Sequence, residues 1–228
     1  FALNKLNILT GVSGSGKSSL LKGVLTRNIK ELLGNRKNSN EKPVSELYFC
    51  HRIINWESFD KILEVDQSPI GKTPRSTPST YINIWDDIRR IFAETNGAKT
   101  KGWNASYFSY NSGDGRCQTC KGLGVESVQM NFLPNVSTKC ESCDGNRFEH
   151  EVRSVLWQGK SISDVLNMSV EAACAFFANH RKISKGLQLM SNFGLGYLRL
   201  GQPSSTLSGG EAQRLKLIAE LQKAKSSE

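Results

Sequence analysis

Long apolar runs are missing from this chain of 228 residues. None reaches the roughly 18 residues that a membrane-crossing helix needs, so neither a span nor a membrane partner is expected. The first residues show no basic start, apolar stretch and small-residue cleavage site in series. No secretory leader is therefore read there, and the cytoplasm is the expected location. Internal repeats are also lacking. Histidine is scarce, three residues in all, and neither His150 nor His180 has an evident catalytic partner. The length allows one large or two small domains with a real core. A formal charge of +9 admits anionic partners without identifying one, since solvated lysines account for many such balances.

Glycine, in contrast, is placed with purpose. GVSGSGKS at residues 11–18 fits G-x-x-x-x-G-K-[ST], with Gly11, Gly16, Lys17 and Ser18 in register. It follows a strand-like run, Leu6 to Thr10, and leads into a helix-like run from Ser18 to Leu33. In that setting the backbone of Gly11, Val12, Ser13, Gly14, Ser15 and Gly16 is expected to cradle phosphates. Lys17 would reach the terminal phosphates as a point charge, and the Ser18 hydroxyl would ligate Mg²⁺. The helix start adds the positive end of its dipole.

A second glycine pair stands near the other end, in TLSGGEAQR at 206–214. Ser208, Gly209, Gly210 and Glu211 have the S-x-x-E form of a capping box. Behind them Ala212, Leu215 and Ala219, with Leu217, Ile218 and Leu221, make an apolar stripe at helical spacing. Two glycines in a first helical turn cost roughly 1 kcal/mol each relative to alanine. Close approach of a phosphate to bare amides is a reason to carry them; a flexible entry to an ordinary capped helix is the plainer one.

Cys117, Cys120, Cys140 and Cys143 form C-x₂-C-x₁₉-C-x₂-C, within the range for a tetrahedral four-cysteine zinc site. Gly122, Gly124 and Gly145 supply the backbone freedom that tight knuckles need. Between the pairs, Val128, Met130 and Phe132 alternate with Gln129 and Asn131, and Phe148, His150, Val152, Ser154 and Leu156 read as a returning strand. The expected unit is a small β module clipped by zinc, with a structural role. Disulfides are the competing reading. Cys174 falls with Val170, Phe177 and Ala178 on one face of a helix-like run and is read as core. Cys50, beside His51, has no ligand pair at useful spacing.

Basic and aromatic residues surround the cysteines. Lys99, Lys101, Trp103, Tyr107, Phe108 and Tyr110 precede them, and Arg116, Lys121, Lys139 and Arg147 decorate the knuckles. Such a mixture suits nucleic acid, but the rings serve equally well as packing under the module. Three of the six prolines fall in residues 68–80, which predicts a stiff, largely extended connector.

GVSGSGKSSL, VDQSPIGKTPRSTPSTY, WDDIRRIFAE, GRCQTCKGLG, MNFLP, CESCDGNR and LGYLRLGQPSSTLSGGEAQRLKL occur in this order along most of the chain. Together they resemble the second nucleotide-binding half of the bacterial UvrA excinuclease family, and LSGGEAQR resembles the signature of ABC-type ATPases. Agreement is poorest over 34–64. The resemblance implies an α/β fold: an incomplete ABC-type P-loop core carrying an inserted signature domain with a four-cysteine zinc β module. Residues 1–67 would begin the core. Residues 68–190 would be the insertion, with the zinc finger at about 113–150. Residues 191–228 would return through the signature.

The resemblance also implies functions. ATP, Mg²⁺ and Zn²⁺ are the expected cofactors. The expected partners are damaged double-stranded DNA, a second copy of the full-length protein, and the excinuclease protein UvrB. Lys101, Arg116, Lys121, Lys139 and Arg147 become DNA-facing candidates, read through duplex shape rather than sequence. Gln67 takes the place of the Q-loop glutamine. Ser208, Gly209, Gly210 and Glu211 would serve a nucleotide held by another half. Phe1, where an initiator Met would stand, leads us to expect a piece of a longer polypeptide. No apolar run ending in Asp-Glu follows the signature, so this stretch alone is expected to bind ATP with negligible hydrolysis, whereas the full-length protein is an ATPase. Two other readings stay open. A related ABC-type ATPase of drug resistance or self-protection would carry the same motifs. A chaperone-like zinc module is suggested by CQTCKGLG, which has the C-x-x-C-x-G-x-G form of the DnaJ-type repeat; CESCDGNR lacks the last glycine.

Overall fold

The computed structural model describes residues 1–37, 47–66, 68, 70–71, 73, 75–128 and 136–225. Two compact units divide the chain, Phe1–Glu64 and Val65–Glu228.

In the first unit, the glycine-rich loop opens a continuous helical stretch. Ser19–Thr26 is π-helical, and α1 follows as Arg27–Lys37. Ile29, Leu32 and Leu33 are its buried face, at the spacing of one helix side. Asn28 is fully buried and satisfied on both ends: its Nδ2 donates to the Val24 carbonyl at 2.7 Å and the Tyr48 carbonyl at 2.9 Å, and its Oδ1 accepts the Tyr48 amide at 2.7 Å. That amide pairing ties a sequence-distant turn to the helix, and Arg27 lies 3.6 Å over the Tyr48 ring. The expected strand over 6–10 is not formed: among the described residues nothing pairs with it, and Leu6 and Ile8 are exposed. Apolar alternation alone does not make a strand, because ladder hydrogen bonds need a neighbour.

The second unit is built on short helices: α2 (Pro78–Tyr81), α3 (Trp85–Ala93), α4 (Asn96–Thr100), α5 (His150–Arg153), α6 (Ile162–Asn167), α7 (Val170–Phe176), α8 (Arg181–Asn192) and α9 (Gly209–Lys225). Among the described residues its strands form two antiparallel hairpins. β1 (Val125–Val128) pairs with β2 (Val136–Lys139), and β3 (Leu156–Trp157) with β4 (Lys160–Ser161). One core joins Trp85, Ile88 and Phe92 of α3, Ile183, Leu187 and Met190 of α8, and Leu215 and Ile218 of α9. Each set repeats at three or four residues, the period of one helix face. Residues 191–225 pack into this same unit.

Two rings from the aromatic run settle where they belong. Phe108 and Tyr110 are fully buried in this core, while Trp103 stacks on Tyr107 with centroids 4.4 Å apart, both half-buried. Cys174 is half-buried against the same core, as expected. The strand expected over 148–156 is a correction. Phe148, Val152 and Val155 are buried while His150 and Leu156 are exposed, a four-then-three spacing that belongs to a helix. The chain turns there through α5 and reverses at Gln158-Gly159, both at positive φ (48° and 74°), the geometry of a tight hairpin turn.

Candidate functional site

The glycine-rich loop at 11–18 is shaped by its glycines. Gly14 and Gly16 sit at φ +81° and +83°, with open space where a Cβ would stand. Left-handed backbone of this kind turns successive amides toward one side. The Lys17 ammonium folds back over the loop, donating to the Gly11 carbonyl at 2.8 Å, the Val12 carbonyl at 2.6 Å and Ser15 Oγ at 3.2 Å. All three contacts lie on an exposed surface. Ser18 is the residue before the helical stretch, and its side chain makes no capping hydrogen bond, which leaves the hydroxyl available. Gln67 lies outside the described residues.

Four thiols converge in the second unit. The sulfurs of Cys117, Cys120, Cys140 and Cys143 lie within 4.8 Å of one another and all four side chains are buried. The Cys117–Cys140 pair is separated by 4.0 Å and Cys120–Cys143 by 3.7 Å. A tetrahedron with Zn–S bonds of about 2.3 Å has edges of about 3.8 Å, so the cluster fits that ion in size as well as in ligand type. The Gly124 amide donates to Cys120 Sγ at 3.2 Å, the outer contact that stabilises a thiolate. Burial pushes the Cys117 thiol up, but the amides of Cys120 and Thr119 and the Ser142 hydroxyl bring it down to about 7. Glu126 and burial push Cys140 the other way. Four thiols and no disulfide are present, so the disulfide reading is not supported. All four positions of such an ion would be protein sulfurs, which suits structure and leaves no open coordination site.

The knuckles are docked by backbone contact. A Cβ on Gly122, at φ +81°, would stand 1.9 Å from the Tyr110 carbonyl oxygen. Arg147 is part of that docking. It is 9 % exposed, donates to the Gly201 carbonyl at 2.8 Å and lies 5.1 Å over the Tyr110 ring. Expected as a DNA-facing cation, it points inward, because a knuckle carrying a tight turn leaves the residue after it against the body. Of the other basic candidates, Lys101, Lys121 and Lys139 are exposed and Arg116 is half-buried. Lys139 pairs with Asp144 at 2.6 Å. Lys101 stands 4.5 Å over Trp103 and 3.9 Å from Glu151. Arg116 donates to the Asn111 carbonyl at 2.7 Å, and Lys121 is exposed at φ +50°.

The capping box forms as read. The Ser208 amide donates to Glu211 Oε2 at 2.7 Å, and the Glu211 amide to Ser208 Oγ at 3.3 Å. Ser208, Gly209 and Gly210 are exposed, with no atom within 4 Å of where either glycine's Cβ would be. The helix start is thus a bare, positively polarised surface. Three residues escaped sequence reasoning. The Tyr197 hydroxyl donates to Glu211 Oε1, and this bond, with the Ser208 amide, holds the Glu211 carboxyl below its ordinary range. Arg214 donates to the carbonyls of Phe193 at 3.0 Å and Gly194 at 3.4 Å, closing the end of α8. Lys216 reaches back to Asp66 and Ser68. Tyr197 and Arg214 stand inside LGYLRLGQPSSTLSGGEAQR, so the segment is visible but the pairing is not.

The chain as a whole is similar to known proteins. The chain is 48% identical over 223 residues to UvrABC system protein A of Staphylococcus epidermidis, a match covering 98% of this chain and 23% of that protein. The Staphylococcus aureus protein of the same name is 48% identical over 221 residues, again covering 23% of its length. The chain is thus similar to UvrA proteins over nearly its whole length. No family model matches it. The crystal structure of UvrA2 from Deinococcus radiodurans superposes with a TM-score of 0.77 at 41% identity, covering 94% of this chain and 25% of that one. The chain spans about a quarter of the length of these relatives. Its incomplete ABC-type fold with a cysteine module is that of the corresponding UvrA segment.

Proposed function

We propose that the chain is part of the second nucleotide-binding half of an ATP- and DNA-binding protein that recognises damage in bacterial nucleotide excision repair, working in the cytoplasm. One observation carries this reading. A P-loop lysine, an exposed capped Ser-Gly-Gly helix start and four buried converging thiols occur together in a sequence 48% identical to UvrABC system protein A.

The chemistry follows from the parts. Lys17 would exchange its three loop oxygens for the terminal phosphates of ATP, the backbone amides of Gly11 to Gly16 would cradle the phosphates, and Ser18 would hold Mg²⁺. Ser208, Gly209 and Gly210 present amides to a nucleotide bound by a different ATPase half, in a protein that acts as a homodimer and hydrolyses ATP. Glu211 is committed to the cap, so its role is to hold the glycines rather than to activate water. Zn²⁺ on Cys117, Cys120, Cys140 and Cys143 fixes the knuckles. With the hairpin held, Lys101, Arg116, Lys121 and Lys139 line a surface for damaged duplex DNA, read through deformability. UvrB is the protein to which the assembled dimer hands the lesion.

The test uses the full-length protein. Lys17→Ala removes a charge-assisted contact worth about 1.5–3 kcal/mol, which raises the Kd for Mg·ATP about 10- to 100-fold. Wild-type protein should prefer lesion-bearing over undamaged duplex, with affinity that falls steeply as salt rises. ATP binding indifferent to Lys17→Ala, or equal affinity for both duplexes, refutes the assignment.

A further inference from the structure

Arg147 is a cation that this fold buries without a carboxylate beside it. It is 9 % exposed, and a guanidinium stays protonated under all ordinary conditions. Among the described residues its side chain has one hydrogen-bond partner, the neutral carbonyl of Gly201 at 2.8 Å, and no ion pair. Burial works against the charged form; the groups that favour it are Tyr110, Cys120 and Cys143. Two of those three belong to the four-thiol cluster. A buried cation without a compensating anion is costly, so the sulfurs are where compensation has to come from.

The backbone of the same residue is tied to the cluster. Its carbonyl accepts the Cys117 amide at 2.8 Å, and its amide donates to the Cys143 sulfur. It is held at φ +68°, a left-handed backbone that a non-glycine residue keeps only when its surroundings over-determine it. Glycine would relieve that turn, as Gly145 does two positions earlier at φ +71°, but would lose the cation. The other charges nearby do not supply one. Glu126 of β1 hydrogen-bonds with Cys140 and has the wrong sign. Lys139 is exposed and spends its charge on Asp144 at 2.6 Å. Four thiolates around one Zn²⁺ carry a formal net charge of −2, and Arg147 is the buried positive group that faces them.

We propose that Arg147 is a positioning residue for the metal: its guanidinium is the buried counter-charge of the zinc–thiolate centre, and its backbone seats Cys117 and Cys143. The proposal deepens the zinc reading above and rests on it. An arginine that served only to dock the knuckles on Gly201 would act through its shape and its donors, and lysine would replace it no better than an uncharged residue.

The experiment withdraws zinc from full-length protein with a chelator and follows this site by hydrogen exchange over residues 115–124 and 138–148. It compares wild type with Arg147→Gln, Arg147→Met and Arg147→Lys. Arg147→Gln keeps a donor for Gly201 but no charge, and should raise the Kd for zinc about 10- to 100-fold. Arg147→Met fills the space without a buried polar head and should do the same. Arg147→Lys keeps the charge without the planar fork and should recover most of that loss. Wild-type zinc affinity in either uncharged variant, or an Arg147→Lys as weak as they are, overturns the proposal alone. If neither uncharged variant folds in excess zinc while Arg147→Lys does, the charge requirement is met in its strongest form. If Arg147→Lys also fails to fold, the residue acts by shape and the proposal falls. A wild type in which neither segment responds to the chelator overturns the zinc reading as well.

Discussion

Replacing Gly122 with alanine should be the most damaging single methyl group in the second unit, and Gly102→Ala is its control. Both glycines have left-handed backbone, φ +81° and +67°. An L-residue in that region costs about 1–2 kcal/mol. Both substitutions also lower the entropy of the unfolded chain by the same amount, so this term drops out of the comparison. The surroundings differ. A Cβ at 102 meets nothing within 4 Å, whereas at 122 it would be 1.9 Å from the Tyr110 carbonyl oxygen and 2.8 Å from its carbonyl carbon. Relief requires a shift of well over 1 Å between the first knuckle and residue 110.

Residue 110 cannot give way cheaply. The Tyr110 ring is fully buried, its hydroxyl is within 2.9 Å of Thr77 Oγ1, and Trp85 and Phe148 pack on it at 5.5 and 6.3 Å. Overpacking of this kind costs about 1–3 kcal/mol beyond the backbone strain. At about 2–4 °C per kcal/mol for a unit of this size, Gly102→Ala should lower Tm by roughly 2–8 °C, and Gly122→Ala by roughly 2–12 °C more. Differential scanning calorimetry on full-length protein, following the transition that contains this unit, reads both. Equal shifts for the two variants would show that the knuckles are not docked by backbone contact.

Two further outcomes follow from the same geometry. Ser208→Ala removes the hydroxyl that accepts the Glu211 amide and should cost about 1 kcal/mol, seen as faster hydrogen exchange at the start of α9; unchanged exchange would mean that the cap is not holding the glycines. Stripping metal with a chelator should expose residues 113–150 to protease while Mg·ATP binding survives, because a structural zinc is worth about 10–16 kcal/mol of folding free energy in small modules; knuckles that stay resistant would remove zinc from the account.

What could be read from the chain depended on how far apart the cooperating residues stand. The P-loop, the capping box and each cysteine pair are recognised within a few residues, because backbone curvature, a helix start and a metal knuckle are local problems with local solutions. The stretch 148–156 shows why local reading also fails. Positions 148 and 152 are two apart twice over, so they satisfy a strand period and a helix period together, and the residue that decides is Val155, three beyond Val152 and buried. Alternation had assigned it to the wrong face. Arg147 failed for a related reason: its charge is visible, but the Gly201 carbonyl that holds it lies 54 residues on.

The Lys216 clasp is the extreme of this series and shows what kind of information a motif omits. LSGGEAQRLKL and VDQSPIG both appear as recognisable segments, yet nothing in either announces that the lysine of one ends among the oxygens of the other. Asp66 is held down to about 2 by that lysine and by the Ser68 hydroxyl, against an ordinary value of 3.8. The favourable pairing is therefore complete above the ordinary aspartate range and is lost as pH falls through about 2.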